Sequence, residues 1–204
     1  MSKANPKANP KANLLDRRQV VATLLADRKD ALVVAGLGAS TYDLAAAGDN
    51  PRNLYLWGAM GGAVMIGLGL ALAQPDTPVV IVTGDGEMLM GMGSLATVGL
   101  QKPKNLSILV LDNEAYGETG GQISHTSASA DLVGVARACG ISDSKAISTL
   151  AEITEFAKGM QDVKSGPRFA NVKIDAANLE RVLSNRDGQF VMNRLRGALG
   201  HAPI

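Results

Sequence analysis

The reading of this chain turns on Pro78-Val-Val-Ile-Val-Thr-Gly-Asp-Gly-Glu87. Pro78–Thr83 is a continuous apolar run of one strand's length, and a strand apolar on both faces belongs inside a parallel sheet covered on both sides by helices. Gly84-Asp85-Gly86 stops the run, and Met, Leu and small residues then continue as a helix to about Leu100. Outward from this unit the pattern repeats. Leu106–Leu111, apolar but for Ser107, is a second such strand; Ala31–Ala35 and Leu54–Trp57 read as earlier strands, and Lys145–Ser148 and Arg168–Ile174 as later strands. Helices are expected over Leu14–Lys29, Tyr42–Ala47, Ala130–Cys139, Leu150–Lys164 and Gln189–Leu199, and a long polar loop over Asp112–Ser129. Alternating strands and helices define an α/β fold: a single doubly wound domain over residues 13–204 with a mostly parallel sheet of about six strands. Ligands of such sheets bind beyond the carboxyl ends of the strands, which directs attention to Gly36–Ser40, Gly84–Glu87 and the loop after Leu111.

Composition narrows the classes. At 204 residues, 46% hydrophobic and 19% charged, the chain can form a sizeable core. One cysteine, Cys139, excludes an internal disulfide and a multi-cysteine metal centre, and is consistent with a reducing, cytoplasmic setting. Aromatic residues make up only 3%, too few for a base-stacking platform. Residues 1–29 hold seven Lys/Arg against two Asp, while residues 30–204 hold thirteen basic and seventeen acidic residues. The body is therefore mildly acidic, with no nucleic-acid footprint. Residues 1–12, built on a Lys-Ala-Asn-Pro repeat, read as a basic disordered tail without the apolar core of a signal peptide. Leu54–Ala73 runs twenty residues without a charge, but five of them are glycine and it divides into a strand, a glycine turn and a small-residue helix rather than a membrane span.

Gly36-Leu37-Gly38-Ala39-Ser40-Thr41 lacks the third glycine of a dinucleotide fingerprint and reads as a tight turn. Gly84-Asp85-Gly86 carries more. An acidic side chain at a strand's carboxyl end suits a cation, flanking glycines allow close backbone approach, and the following helix N-terminus favours phosphate oxygens. Carboxylate and phosphate are compatible there if Mg²⁺ lies between them, and Asp112-Asn113-Glu114-Ala115-Tyr116-Gly117 ends the next strand with further oxygen ligands.

Asp85 within G-D-G and Asn113 twenty-eight residues later, in strand–loop–helix–strand context, resemble the motif of thiamine diphosphate-dependent enzymes. Trp57-Gly58-Ala59-Met60-Gly61 resembles the segment that carries the cofactor's apolar wedge in 2-oxo acid decarboxylases. Tyr116-Gly117-Glu118-Thr119-Gly120-Gly121-Gln122 is similar to the corresponding loop of phosphonopyruvate decarboxylases and sulfopyruvate decarboxylase β subunits. The resemblance spans roughly Ala31 to Ile174. It implies that Asp85, the Asn113 side chain and the Ala115 carbonyl bind Mg²⁺. It also implies that Gly58, Ala59, Met60, Gly84, Gly86, Glu87, Tyr116, Gly117 and Thr119 contact thiamine diphosphate, with Met60 as the wedge. Thr119–Gln122 and His125 would cover the reacting end, with His125 a candidate acid–base group. Glu87 departs from the decarboxylase pattern, where serine or alanine is commoner, and is expected to contribute its backbone. Asp112 and Glu114 are expected to lie behind the metal or to face solvent, Cys139 to be core, and His201 to have no role.

In such enzymes a glutamate on a separate pyrimidine-binding domain activates the cofactor, and no residue here can be assigned to it. The resemblance therefore implies a partner subunit carrying that glutamate, a hetero-oligomer of the α₂β₂ type or larger, and a small 2-oxo acid substrate that releases CO₂ and an aldehyde. Glu87 keeps open a carboligase or transketolase-like half-enzyme, and a non-catalytic cofactor-binding or regulatory protein is the reading from another class.

Overall fold

The computed structural model describes residues 14–204, so the expected tail over residues 1–12 lies outside the described residues. In chain order the elements are α1 (Arg17–Leu25), β1 (Leu32–Ala35), α2 (Ala39–Ala46), β2 (Asn53–Tyr55), α3 (Ala63–Ala73), β3 (Val79–Gly84), α4 (Asp85–Met90), α5 (Ser94–Gln101) and β4 (Leu106–Asp112). There follow β5 (Ala115–Tyr116), β6 (Gln122–Ile123), α6 (Leu132–Ala138), β7 (Asp143–Ile147), α7 (Leu150–Met160), β8 (Arg168–Lys173) and α8 (Gly188–Ala198). Six strands form one sheet in the order β2-β1-β3-β4-β8-β7, every pair parallel.

The sheet sorts its side chains by strand alternation. Val33, Ala35, Val80, Val82, Leu109, Leu111, Ala170 and Val172 face one layer, with Leu24 of α1, Leu44 of α2 and Phe156 of α7. Leu32, Val34, Val79, Ile81, Ile108, Val110 and Phe169 face the other, with Leu68 of α3, Leu95 of α5 and Leu132 of α6. The register matches these sets: Val33 pairs with Val80, and Val82 with Leu109. All of these residues are essentially inaccessible to water, which is why β3 and β4 are apolar apart from Ser107 and from Thr83 and Asp112 towards their carboxyl ends. The uncharged run at Leu54–Ala73 is accounted for by edge strand β2, a glycine turn and the eleven-residue α3. No helix among the described residues is long and apolar enough to cross a membrane.

Two expectations need correction. The single helix expected after Gly84-Asp85-Gly86 to about Leu100 starts already at Asp85 and is broken into α4 and α5 at Gly91-Met92-Gly93. A Cβ at Gly91 would stand 2.3 Å from the Gly61 carbonyl oxygen, so the β2–α3 turn presses directly on the break. The loop expected from Asp112 to Ser129 holds a small antiparallel hairpin, in which Ala115 pairs with Ile123 and Tyr116 with Gln122.

From β1 the chain moves outward to β2 and then back across β1 to β3. The carboxyl ends of β1 and β3 are thus neighbours whose connections leave in opposite directions. A crevice opens between them, where an open α/β sheet binds ligands.

Candidate functional site

A cavity of about 310 Å³ occupies that crevice. Its walls include Leu37, Ala39 and Ser40 after β1, Gly84–Glu87 after β3, and Asn113 with Ala115–Thr119 after β4, so the three loops singled out from the sequence meet in one place. The Gly36–Ser40 segment, read as a tight turn, is also a cavity wall. Met60 lines the cavity while remaining 36% exposed; Gly58 and Ala59 lie beside it, outside the lining.

Asp85 begins α4 and is 2% exposed. Ser124 Oγ donates to its Oδ2, and Thr126 Oγ1 lies 3.2 Å from the same oxygen. Thr126 Oγ1 is also 2.7 Å from Asp112 Oδ1, so one hydroxyl proton is shared between two carboxylates. Asp112 has a cation of its own, with Lys173 Nζ at 2.8 Å and Asn171 donating at 2.9 Å. Asp85 pairs with no cation among the described residues. Burial pushes its carboxyl pKa up, the Ser124 hydrogen bond opposes that, and the nearby Asp112 charge raises it further. A buried carboxylate without a counter-charge is electrostatically incomplete and suits a bound cation.

The oxygen donors around it are hard. Asn113 Oδ1 accepts the Ala115 N–H at 3.1 Å and keeps a second lone pair, and both residues line the cavity. No group of three or more His, Cys, Asp or Glu side chains suited to a metal occurs among the described residues. A Mg²⁺ site built from one carboxylate, one amide oxygen and one backbone carbonyl needs no such group. The space fits a ligand as well, because a Cβ at Gly84 would meet nothing within 4 Å. Gly86 is required for a different reason: a Cβ there would stand 2.6 Å from the Tyr116 ring, which lies across the start of α4.

The Glu87 side chain is buried rather than directed outward. Thr83 Oγ1 donates to its Oε2 at 2.7 Å. The N–H groups of Ala63, Gly61 and Leu37 lie close enough to favour its charge, although Oε1 has no aligned partner. Burial is the largest influence and raises its pKa. A Cβ at Gly36 would fall 1.6 Å from Oε2. Glu87 is thus wedged beneath the turns after β1, β2 and β3 and holds all three together.

Around the mouth the structure redistributes the expected roles. His125 is exposed and lies outside the cavity lining; its neighbours Ser124 and Thr126 reach Asp85 instead. Thr126 sits in the single 3-10 turn His125–Ser127 and Ser124 immediately precedes it, and this turn brings both hydroxyls to Asp85; residue type and spacing carry no signal for it. Thr119 lines the cavity, and Gly120, Gly121 and Gln122 are exposed beyond it. Asp112 is 1% exposed, which excludes the solvent-facing alternative for it; Glu114 is bound to Lys173 at 2.7 Å. Burial alone would lower the Lys173 pKa, but its hydrogen bonds to Asp112 and Glu114 prevail and raise it. Cys139 is partly buried against the core, and His201 is exposed.

The arrangement defines a doubly wound cofactor-binding domain, with an acidic, oxygen-rich site at the sheet's switch point. The chain belongs to the thiamine pyrophosphate enzymes, as a C-terminal TPP-binding domain, the family that matches residues 36–174. It is 42% identical over 152 residues to a phosphonopyruvate decarboxylase of Streptomyces viridochromogenes, a match covering 74% of this chain and 38% of that protein. It is 34% identical over 189 residues to the sulfopyruvate decarboxylase β subunit of Methanothermobacter thermautotrophicus, covering 91% of this chain and 98% of that one. The chain therefore spans well under half of the first relative and nearly all of the second. Benzoylformate decarboxylase from Polynucleobacter necessarius shares the fold, with a TM-score of 0.65 at 20% identity over 89% of this chain and 36% of that one.

Proposed function

We propose that this chain is the thiamine diphosphate- and Mg²⁺-binding subunit of a cytoplasmic 2-oxo acid decarboxylase. It would act on a short 2-oxo acid bearing a second anionic group such as sulfonate or phosphonate, and release CO₂ and an aldehyde. The observation that carries this reading is Asp85, buried without a counter-cation among the described residues in the crevice that Asn113, Gly84 and Met60 also line. Relatives named for phosphonopyruvate and sulfopyruvate decarboxylation support the substrate class.

In this reading Asp85, the Asn113 side chain and the Ala115 carbonyl hold Mg²⁺, and Gly84, Gly86 and the Glu87 backbone lie against the diphosphate. When bound, the cofactor supplies the electron sink for loss of CO₂. The chain's own residues bind and orient. Ser124 and Thr126 hold Asp85 for the metal, Met60 supports the cofactor from the rim, and Tyr116 with Gly117 and Thr119 closes one side against water. His125 stays an accessory candidate that would have to turn inward. The activating glutamate belongs to a pyrimidine-domain partner in a hetero-oligomer. The near-complete match to a protein named as a β subunit supports that division.

The experiment is native mass spectrometry of the protein drawn gently from its own cells, followed by assay of the complex with sulfopyruvate and phosphonopyruvate. A second subunit, retained thiamine diphosphate with magnesium, and free aldehyde product are expected. A ligated ketol in place of the aldehyde would establish the carboligase alternative. A homo-oligomer that retains no cofactor and turns over neither acid would sink the proposal.

A further inference from the structure

Arg17, at the first turn of α1, lies outside the residues that match the family. It is 7% exposed, yet it lines the cavity. Its Nε lies 3.2 Å from Asp43 Oδ2, and Arg18 Nε lies 3.6 Å from the other oxygen of the same carboxylate. Asp43 is fully buried on α2. One carboxylate thus sits between two guanidinium groups, of which Arg17 alone lines the cavity. The terminal nitrogens of Arg17 donate to no described residue, and Nε itself is not aligned for a hydrogen bond. Arg18, in contrast, is spent on the Glu180 carbonyl. The other cation on the lining, Arg181, is paired with Glu118 at 3.4 Å. Beside Arg17, Ser40 is 2% exposed and lines the cavity in the first turn of α2, a helix whose N-cap, Gly38, offers no side-chain acceptor.

A buried guanidinium held from behind by a carboxylate, its terminal nitrogens unpaired among the described residues, suits a multiply charged oxyanion. Resting on the cofactor reading above, we infer that Arg17, positioned by Asp43 and assisted by Ser40, anchors the terminal phosphoryl group of thiamine diphosphate. The terminal phosphoryl carries the larger charge, and Arg17 and Ser40 would hold it while Asp85 and Asn113 would hold Mg²⁺. Arg17 therefore confers preference for the diphosphate over the monophosphate.

The test is calorimetric titration of the full chain, in Mg²⁺ buffer, with thiamine diphosphate, inorganic pyrophosphate and thiamine monophosphate. Arg17→Met should weaken the two diphosphates about 10- to 100-fold and leave the monophosphate within about threefold. Arg17→Lys keeps the ion pair with Asp43 but loses the fork, and should show a smaller loss of the same preference; it carries the test if Arg17→Met does not fold by circular dichroism. In phosphorus NMR, only the terminal resonance of bound thiamine diphosphate should move between wild type and Arg17→Lys. Unchanged diphosphate affinity in folded variants, or an equal loss for all three probes, overturns the inference alone. A wild-type chain that binds neither diphosphate overturns the cofactor reading and this inference with it.

Discussion

The chemistry of the site rests on charges that the fold buries without completing. Asp85 gives up solvation at the end of β3 and receives hydroxyl donors in return, so its carboxylate carries an electrostatic cost that a cation relieves. Asp85→Asn should reduce Mg²⁺-dependent thiamine diphosphate affinity by at least about 100-fold while holding apo stability within about 1 kcal/mol of wild type or raising it. Calorimetry and urea denaturation of one preparation check both; a large fall in apo stability would mean that the carboxylate is structural. Asp43 makes a pH-dependent case. Burial raises its carboxyl pKa from 3.8 to about 6, against the lowering influence of Arg17 and Arg18. A raised folded value means that its contribution to stability is fully present below the unfolded value and is lost as pH rises through about 6. Between about pH 4 and pH 7 the wild type should therefore lose up to about 3 kcal/mol relative to Asp43→Asn. Melting temperatures of the two proteins across that range test it, and parallel curves would refute it. Neither Arg17 nor Ser124 was legible as part of the site. In the sequence Arg17 is one polar residue of an amphipathic helix, and Ser124 stands beside a histidine with more obvious chemistry. Their roles come from side-chain direction, which residue type does not encode.

At the scale of elements, apolar runs such as Val79–Val82 and Leu106–Leu111 were legible because strands buried on both faces must be apolar. The glycine-marked ends of β1 and β3 were legible because the chain has to stop and turn there. The division between α4 and α5 was not, because its cause lies thirty residues away in sequence, where the Gly61 backbone meets Gly91. That contact also sets the position of Met60, one residue before Gly61. Gly91→Ala should cost about 1–3 kcal/mol, because the obstructing atom is backbone and cannot swing aside. It should weaken thiamine diphosphate binding as well, by displacing the Met60 turn. Gly69 is the control: it sits in α3, and a Cβ added there would meet nothing within 4 Å. Gly69→Ala should therefore stabilise by about 0.5–1 kcal/mol through helix propensity alone. Urea midpoints of the two variants should move in opposite directions, and equal shifts would show that the Gly61–Gly91 approach is not what fixes the turn.

For the whole molecule the question is why methionines stand exposed at and beside the cavity, Met60 in its lining and Met90 and Met92 flanking Gly91 next to it. Met60 is 36% exposed, Met90 64% and Met92 37%, and they are gathered where Gly61 meets Met90 and Gly91. Flexible thioether side chains left open to water beside a site suit an adaptable interface. Both apolar layers of the sheet are filled, so the rim is not an unfinished core; the activating glutamate that the proposed function calls for, by contrast, is assigned to no residue of this chain. The two observations have one explanation if the pyrimidine-domain partner seats on this rim and closes the cavity. Oxidative footprinting with dilute peroxide then has a definite expected pattern. In the isolated chain Met60, Met90 and Met92 should be converted to sulfoxides, and Met88 and Met160, each 1% exposed, should not. In the complex isolated from its own cells the three rim methionines should be protected, and CO₂ release from the 2-oxo acid should appear only there. Rim methionines that oxidise equally fast in an active complex would place the partner on another face, and the cavity would then have to be closed by this chain's own loop at Tyr116–Gln122.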